Sequence, residues 1–192
     1  MESAVPGTTR RVVFNEDAGL HHTEVLETLL NSTPAISMAE TGTFEAQVPK
    51  YLLTKFADLH VVTVDPFEFE PTSSLYPLNA TVARREQVFQ DLAPFGTRVV
   101  VMPTTSQVAS TIVADGLFDL VFIDGGPRDE ELRLWKHKVR TGGWLAGHDF
   151  KISMATEYLL EVFRSVPHNE TLHLASDWTW YFRWYPPEAS KN

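Results

Sequence analysis

Apolar positions in this chain fall into short runs separated by segments in which they recur every three or four residues. The runs are Ala35–Ala39, His60–Val64, Arg98–Met102, Phe118–Ile123 and Trp144–Gly147. Continuous and rich in valine and isoleucine, they have the form of strands buried on both faces. The intervening periodicity predicts helices over Glu45–Phe56, Leu78–Leu92, Ser106–Ala114, Asp129–Val139 and Ser153–Val166, with another at His22–Asn31 ahead of the first strand. Strand and helix in alternation are how a parallel sheet with crossover helices appears in sequence. The rhythm breaks after Val166. Thr171–Ala175 is followed, past Ser176 and Asp177, by Trp178, Trp180, Tyr181, Phe182, Trp184 and Tyr185 with no helix between, which predicts an antiparallel hairpin. In a strand alternate side chains face a core, so these aromatics are read as packing rather than as a ligand box. The prediction is an α/β fold with one doubly wound, mostly parallel seven-stranded sheet closed by a C-terminal antiparallel hairpin. It spans 16–185 between two loose ends, 1–15 and 186–192, and Pro66–Pro77 is its one long irregular connection.

Composition narrows the function classes. At 192 residues, 43% of them hydrophobic, a single core is expected. The formal charge of -9 and the scatter of the basic residues argue against nucleic acid and anionic membrane as partners. The absence of cysteine excludes disulfides, thiolate metal sites and cysteine nucleophiles, and fits a reducing compartment. No apolar stretch has the length of a signal peptide or membrane span, so the expected location is cytoplasmic.

Ligands of open parallel sheets bind beyond the carboxyl ends of the strands. The residues that follow the five runs are polar: Glu40, Thr41, Gly42, Thr43 and Phe44; Asp65, with Pro66; Thr104, Thr105, Ser106 and Gln107; Asp124, Gly125 and Gly126; His148 and Asp149. Singly, each has a structural reading as a helix cap or turn residue. Together they describe an acidic, hydroxyl-binding cleft. Gly42 allows close backbone approach, and Asp65 follows at about the 20-residue spacing at which a carboxylate takes the ribose hydroxyls of a nucleoside cofactor. One glycine stands where a dinucleotide fingerprint has three, so a nucleoside without phosphates fits better than NAD.

The segments Ala39-Glu-Thr-Gly-Thr-Phe-Glu-Ala46, Lys50-Tyr-Leu-Leu53, Val62-Thr-Val-Asp-Pro66, Phe118-Asp-Leu-Val-Phe-Ile-Asp-Gly125 and Thr141-Gly-Gly-Trp-Leu-Ala-Gly-His-Asp149 resemble, in order, the motifs of class I S-adenosylmethionine-dependent methyltransferases. The nearest likeness is to the small-molecule O-methyltransferases of the macrocin and cephamycin biosynthesis type, with the catechol type more distant. It covers roughly Ala35 to Val166. The resemblance implies S-adenosylmethionine as cofactor, with Glu40 and Gly42, beside Thr43 and Phe44, at its methionine end, Asp65 and Pro66 at the ribose, Ser106 and Gln107 at the adenine, and Asp124 close to the methyl group. In metal-dependent members the positions of Asp124, His148 and Asp149 hold a divalent cation such as Mg²⁺ or Mn²⁺, which lowers the pKa of a bound hydroxyl.

Two departures from that pattern bear on catalysis. Pro127 stands where the family places its base, and a proline has no proton to exchange. His148 stands where a carboxylate is usual, giving a softer set suited also to Fe²⁺ or Zn²⁺. His148 is thus open to three readings: metal ligand, proton acceptor or structural group. The leading expectation is O-methylation of a small-molecule hydroxyl, with Asp124, His148 and Asp149 carrying the chemistry. The alternatives are a cofactor-binding domain that lost its base and, further off, an NAD-dependent oxidoreductase. A second subunit can supply the acceptor lid that the short N-terminus does not, so a homo-oligomer is open.

Overall fold

A computed structural model of the chain describes residues 2–4, 11–15, 21–32, 34, 37–68, 78–126, 128–150 and 156–186. The strands are β1 (Glu2–Ala4), β2 (Arg11–Asn15), β3 (Ser37–Thr41), β4 (His60–Val64), β5 (Val99–Met102), β6 (Phe118–Ile123), β7 (Val139–Gly147), β8 (Thr171–Ala175) and β9 (Trp180–Arg183). The helices are α1 (His22–Asn31), α2 (Gln47–Lys55), α3 (Leu78–Leu92), α4 (Ser106–Ile112), α5 (Arg128–Trp135) and α6 (Thr156–Ser165). All strands join one sheet, in the order β1-β2-β8-β9-β7-β6-β3-β4-β5. From β3 the chain steps outward to β4 and β5, then crosses back to β6 on the other side of β3 and continues to β7, all parallel. The topological switch point therefore lies between β3 and β6, and that is where an open α/β sheet places its ligand.

Alternation along the strands divides the core in two. Val121 and Ile123 of β6 face one layer with Leu132 and Trp135 of α5 and Val162 of α6. Leu120 and Phe122 face the other with Leu26 of α1, Leu52 and Leu53 of α2, and Leu92 of α3. With period-two side chains and helices on both faces, every residue of β6 is buried.

The C-terminal hairpin is present. β9 pairs antiparallel with both β8 and β7, and Trp180, Phe182 and Trp184 lie in the α5/α6 layer while Tyr181 faces the other. Three expectations need correction. The segment 1–15, expected loose, supplies two strands: β2 runs parallel to β8 from Arg11↔Thr171 to Asn15↔Ala175, and β1 pairs antiparallel with β2. Among the described residues the sheet therefore has nine strands rather than seven. The first central strand, described over Ser37–Thr41 with 35–36 outside the described residues, runs past the expected end at Ala39, which puts Glu40 inside it; an acid is tolerated there because a hydroxyl on β4 meets it. The fifth run reaches back to Val139, so the helix expected over Asp129–Val139 stops at Trp135, and a register shift between Phe118 and Leu120 absorbs the extra residues. Residues 69–77 of the long connection, Pro127 and 187–192 lie outside the described residues. Among those described, no helix is long and apolar enough to cross a membrane.

Candidate functional site

At the carboxyl ends of β3, β4 and β6 a cleft of about 530 Å³ opens, lined by Gly42, Phe44, Val64, Asp65, Pro66, Glu68, Ser106, Asp124, Gly125, Gly126 and Glu131. Its floor is the switch point, where the chains leaving β3 and β6 come so close that a Cβ on Gly42, at φ +90°, would stand 2.5 Å from the Asp124 carbonyl oxygen. The first demand for glycine here is thus the protein's own backbone rather than a ligand. Asp65 ends the β4 side. Its Oδ2 accepts the Phe44 N–H at 2.9 Å and its Oδ1 the Phe67 N–H at 2.7 Å, fixing the carboxylate with lone pairs left on both oxygens. Phe44 and Phe67 both adopt positive φ, 49° and 52°, so backbone strain gathers on the two donors that orient Asp65.

A smaller pocket of about 120 Å³ adjoins, sharing Gly42, Phe44 and Asp124 and adding His22, Glu40, Thr43, Glu45, Gln47 and Val48. Glu40 is 2% exposed. Thr63 Oγ1 donates to its Oε2 at 2.6 Å and lies 2.5 Å from Thr43 Oγ1, so the candidates Glu40 and Thr43 belong to one buried chain of hydrogen bonds. Burial drives the Glu40 carboxyl well above the usual range; the Thr63 hydrogen bond opposes this, and the charges of Asp124 and Asp65 add to it. Gln107 is not among the lining residues: its Nε2 donates to Glu130 Oε2 at 3.1 Å while its Oε1 accepts from Ser106 Oγ at 3.3 Å. Ser106, the first residue of α4, remains on the cleft wall.

Asp124, His148 and Asp149 come together, each offering a donor atom within 4.8 Å of the others. His148 Nδ1 lies 3.5 Å from Asp124 Oδ1 and 3.6 Å from Asp149 Oδ1. Burial opposes the charged ring, but the hydrogen bond and charge of Asp124, with Asp149 and Asp177, outweigh it and raise the His148 pKa. Asp149 adopts φ 61°, a left-handed conformation that aims its carboxylate back across the strand ends. Arg128, at the start of α5, sends Nη2 to within 2.6 Å of Asp149 Oδ2 and 3.5 Å of Asp124 Oδ1. A guanidinium thus bridges the two carboxylates that the family resemblance assigns to a dication. A second cation there would be placed against a fixed positive charge, so the set as built does not fit Mg²⁺ or Mn²⁺ and no step below passes through one.

Four residues of this site carry no strand-end signal. Arg128 follows Gly125, Gly126 and Pro127 in the sequence. Glu131, one turn into α5, is 3% exposed beneath Gly125, accepts from Thr41 Oγ1 at 2.9 Å, and is shifted upward chiefly by burial. His22 opens α1 with its ring stacked on Phe122 and 4.9 Å from that of His148. Its pKa falls to about 4, through burial first and then the neighbouring His21. Asp177 sits in the β8–β9 turn, with Oδ1 accepting the Thr179 N–H at 3.0 Å.

A sequence family described as a methyltransferase domain matches residues 41–150, the stretch from the end of β3 to just past Asp149. The chain belongs to this methyltransferase family. No curated protein matches its sequence. Among solved structures the methyltransferase is similar to a protein designated a caffeoyl-CoA O-methyltransferase from Staphylococcus aureus, with TM-score 0.63 and 14% identity over 84% of this chain and 81% of that one. It is similar to a SAM-dependent O-methyltransferase from Thermotoga maritima, with TM-score 0.64 and 9% identity over 86% and 65% of the two chains. It is similar also to the N-methyltransferase NodS from Bradyrhizobium japonicum, at 0.56 and 12% over 85% and 93%. At these identities the likeness is one of fold, and the fold serves both oxygen and nitrogen acceptors.

Proposed function

We propose that this methyltransferase uses S-adenosylmethionine to methylate a hydroxyl of a small molecule. The observation that carries the reading is Asp65. Its two oxygens, pinned by the Phe44 and Phe67 N–H groups at the switch-point cleft, are presented to a vicinal diol such as a ribose. Gly42, Phe44 and Pro66 form the rest of that wall, Ser106 is set for the base, and Glu40 and Thr43 back the pocket at the methionine end, with Asp124 common to both cavities. Gln107 takes part only by leaving Glu130.

Methyl transfer needs the acceptor oxygen, methyl carbon and sulfonium in line, so positioning supplies most of the rate. The hydroxyl proton passes to the Asp124–His148 pair, whose side chains are 3.5 Å apart on adjacent strand ends, while Arg128 holds Asp149 and keeps the cluster from repelling itself. This pair replaces the base lost at Pro127. The absence of cysteine accords with work in the cytoplasm. Incubating the protein with S-adenosylmethionine and a panel of phenols, sugars and amines, and following S-adenosylhomocysteine release, tests the reading. Turnover on hydroxyl acceptors supports it; binding of the methyl donor with no turnover on any acceptor leaves a cofactor-binding domain in its place.

A further inference from the structure

We propose that His22, His148 and Asp177 form a metal site of two imidazoles and one carboxylate that takes a borderline transition ion such as Zn²⁺. The three come from separate elements: the first residue of α1, the residue after β7, and the turn between β8 and β9. Their donor atoms all lie within 4.8 Å of one another. Asp177 Oδ2 stands 3.7 Å from His22 Nδ1 and 3.8 Å from His148 Nε2. Metal bonds of about 2.0–2.1 Å at tetrahedral angles separate ligand atoms by about 3.4 Å, so the two distances to Asp177 need to close by a few tenths of an ångström and the two imidazole nitrogens by at most about 1.4 Å.

A second observation points to a ligand at this place. Asp177 Oδ1 is tied to the Thr179 N–H, yet Oδ2 is buried with no hydrogen-bond partner, an arrangement that costs stability unless something else meets it. The two nitrogens of His148 divide the work. Nδ1 faces Asp124 and Asp149, the carboxylate backing that orients a ligating histidine. Nε2 faces Asp177, where it is 3.0 Å from the backbone carbonyl, and a cation replaces the proton shared there. The site shares only His148 with the Asp124, His148 and Asp149 set, whose carboxylates Arg128 bridges, and it leaves the Nδ1 proton directed at Asp124, whose carboxylate then accepts the hydroxyl proton. Two imidazoles favour zinc-like ions over Mg²⁺, and three protein ligands leave a position for water or an acceptor oxygen. His22 also lines the smaller pocket beside Asp124, so the ion would stand at the edge of the pocket assigned to the methionine end.

Binding can be read with the metal alone, so this inference does not depend on methyl transfer. Calorimetric titration of the metal-free full chain with ZnCl₂ should show one tight site, with MgCl₂ far weaker. His22→Gln and Asp177→Asn should each weaken Zn²⁺ by at least about tenfold. A readout without mutation is the ring nitrogens of the ¹⁵N-histidine-labelled wild-type protein: Zn²⁺ should shift Nδ1 of one histidine and Nε2 of another. The absence of Zn²⁺ binding, a shift at a single histidine, or affinity that survives both substitutions but is lost in Asp149→Asn would overturn the proposal. Binding of S-adenosylmethionine, measured separately, reports on the methyl-transfer reading instead.

Discussion

Asp65 and Glu40 show how one functional group, the carboxyl, takes two roles from its surroundings. Asp65, held by two backbone N–H groups at the rim of the cleft, is placed to accept from a ligand. Asp65→Ala should weaken S-adenosylhomocysteine binding by about 2–3 kcal/mol, the loss of two charge-assisted hydrogen bonds, as measured by calorimetry. Unchanged affinity would remove the ribose assignment. Glu40, enclosed in β3, is driven toward its neutral form. Its folded pKa lies above the unfolded one, so the folded state holds the extra proton. Stability conferred by the neutral acid is fully present below the ordinary glutamate pKa and declines as pH rises toward the raised folded value, by about 1.4 kcal/mol per pH unit inside that window. Glu40→Gln keeps an oxygen for the Thr63 hydroxyl and removes the titration. Its unfolding free energy should match wild type near pH 4 and exceed it increasingly toward neutral pH. A difference constant with pH would mean that Glu40 does not titrate between these states.

At the level of elements, strand ends were legible in the sequence because continuous apolar runs mark strands buried on both faces and stop where the chain reaches the cleft. That logic led to Gly42, Phe44, Asp65, Pro66, Ser106 and Asp124, all of which line the main cleft. It missed His22, Arg128, Glu131 and Asp177, which come from helix starts and a hairpin turn. Their convergence depends on how α1, α5 and the hairpin pack, and no local pattern encodes that. It missed β2 for a related reason: Arg11–Asn15 is a strand only because β8 offers it an edge. The hairpin also braces the site. Trp180 donates Nε1–H to the Tyr158 hydroxyl at 2.6 Å, and Tyr158 donates to the His148 carbonyl at 3.0 Å. Gly147, just before His148, makes room for that indole, since a Cβ there would lie 2.5 Å from the ring. Gly147→Ala should therefore lower stability by about 1–3 kcal/mol in denaturant unfolding at unchanged m-value. Gly126→Ala, where a Cβ meets nothing within 4 Å, should stay within about 0.5 kcal/mol of wild type. Equal effects of the two would show that the indole does not constrain the end of β7.

Over the whole molecule the formal charge is -9, and Asp65, Glu68 and Asp124 bring part of that charge to the cleft wall. S-adenosylmethionine carries a sulfonium and an ammonium against one carboxylate, whereas S-adenosylhomocysteine has lost the sulfonium charge. The field of the protein therefore favours the donor over the spent cofactor, aiding exchange after each turnover, and disfavours the pyrophosphate of NAD. Exposed charges more than about 10 Å apart are largely screened at 0.1 M salt, while a pair in contact across the cleft is screened less. Titrating both cofactors at low and high NaCl separates the two contributions. The preference for S-adenosylmethionine should shrink as salt rises but not vanish, leaving the contribution of the nearest carboxylates, and Asp124→Asn should reduce what is left. A preference unaffected by salt would assign discrimination to contacts at the sulfur alone and leave the acidic surface without a part in cofactor choice.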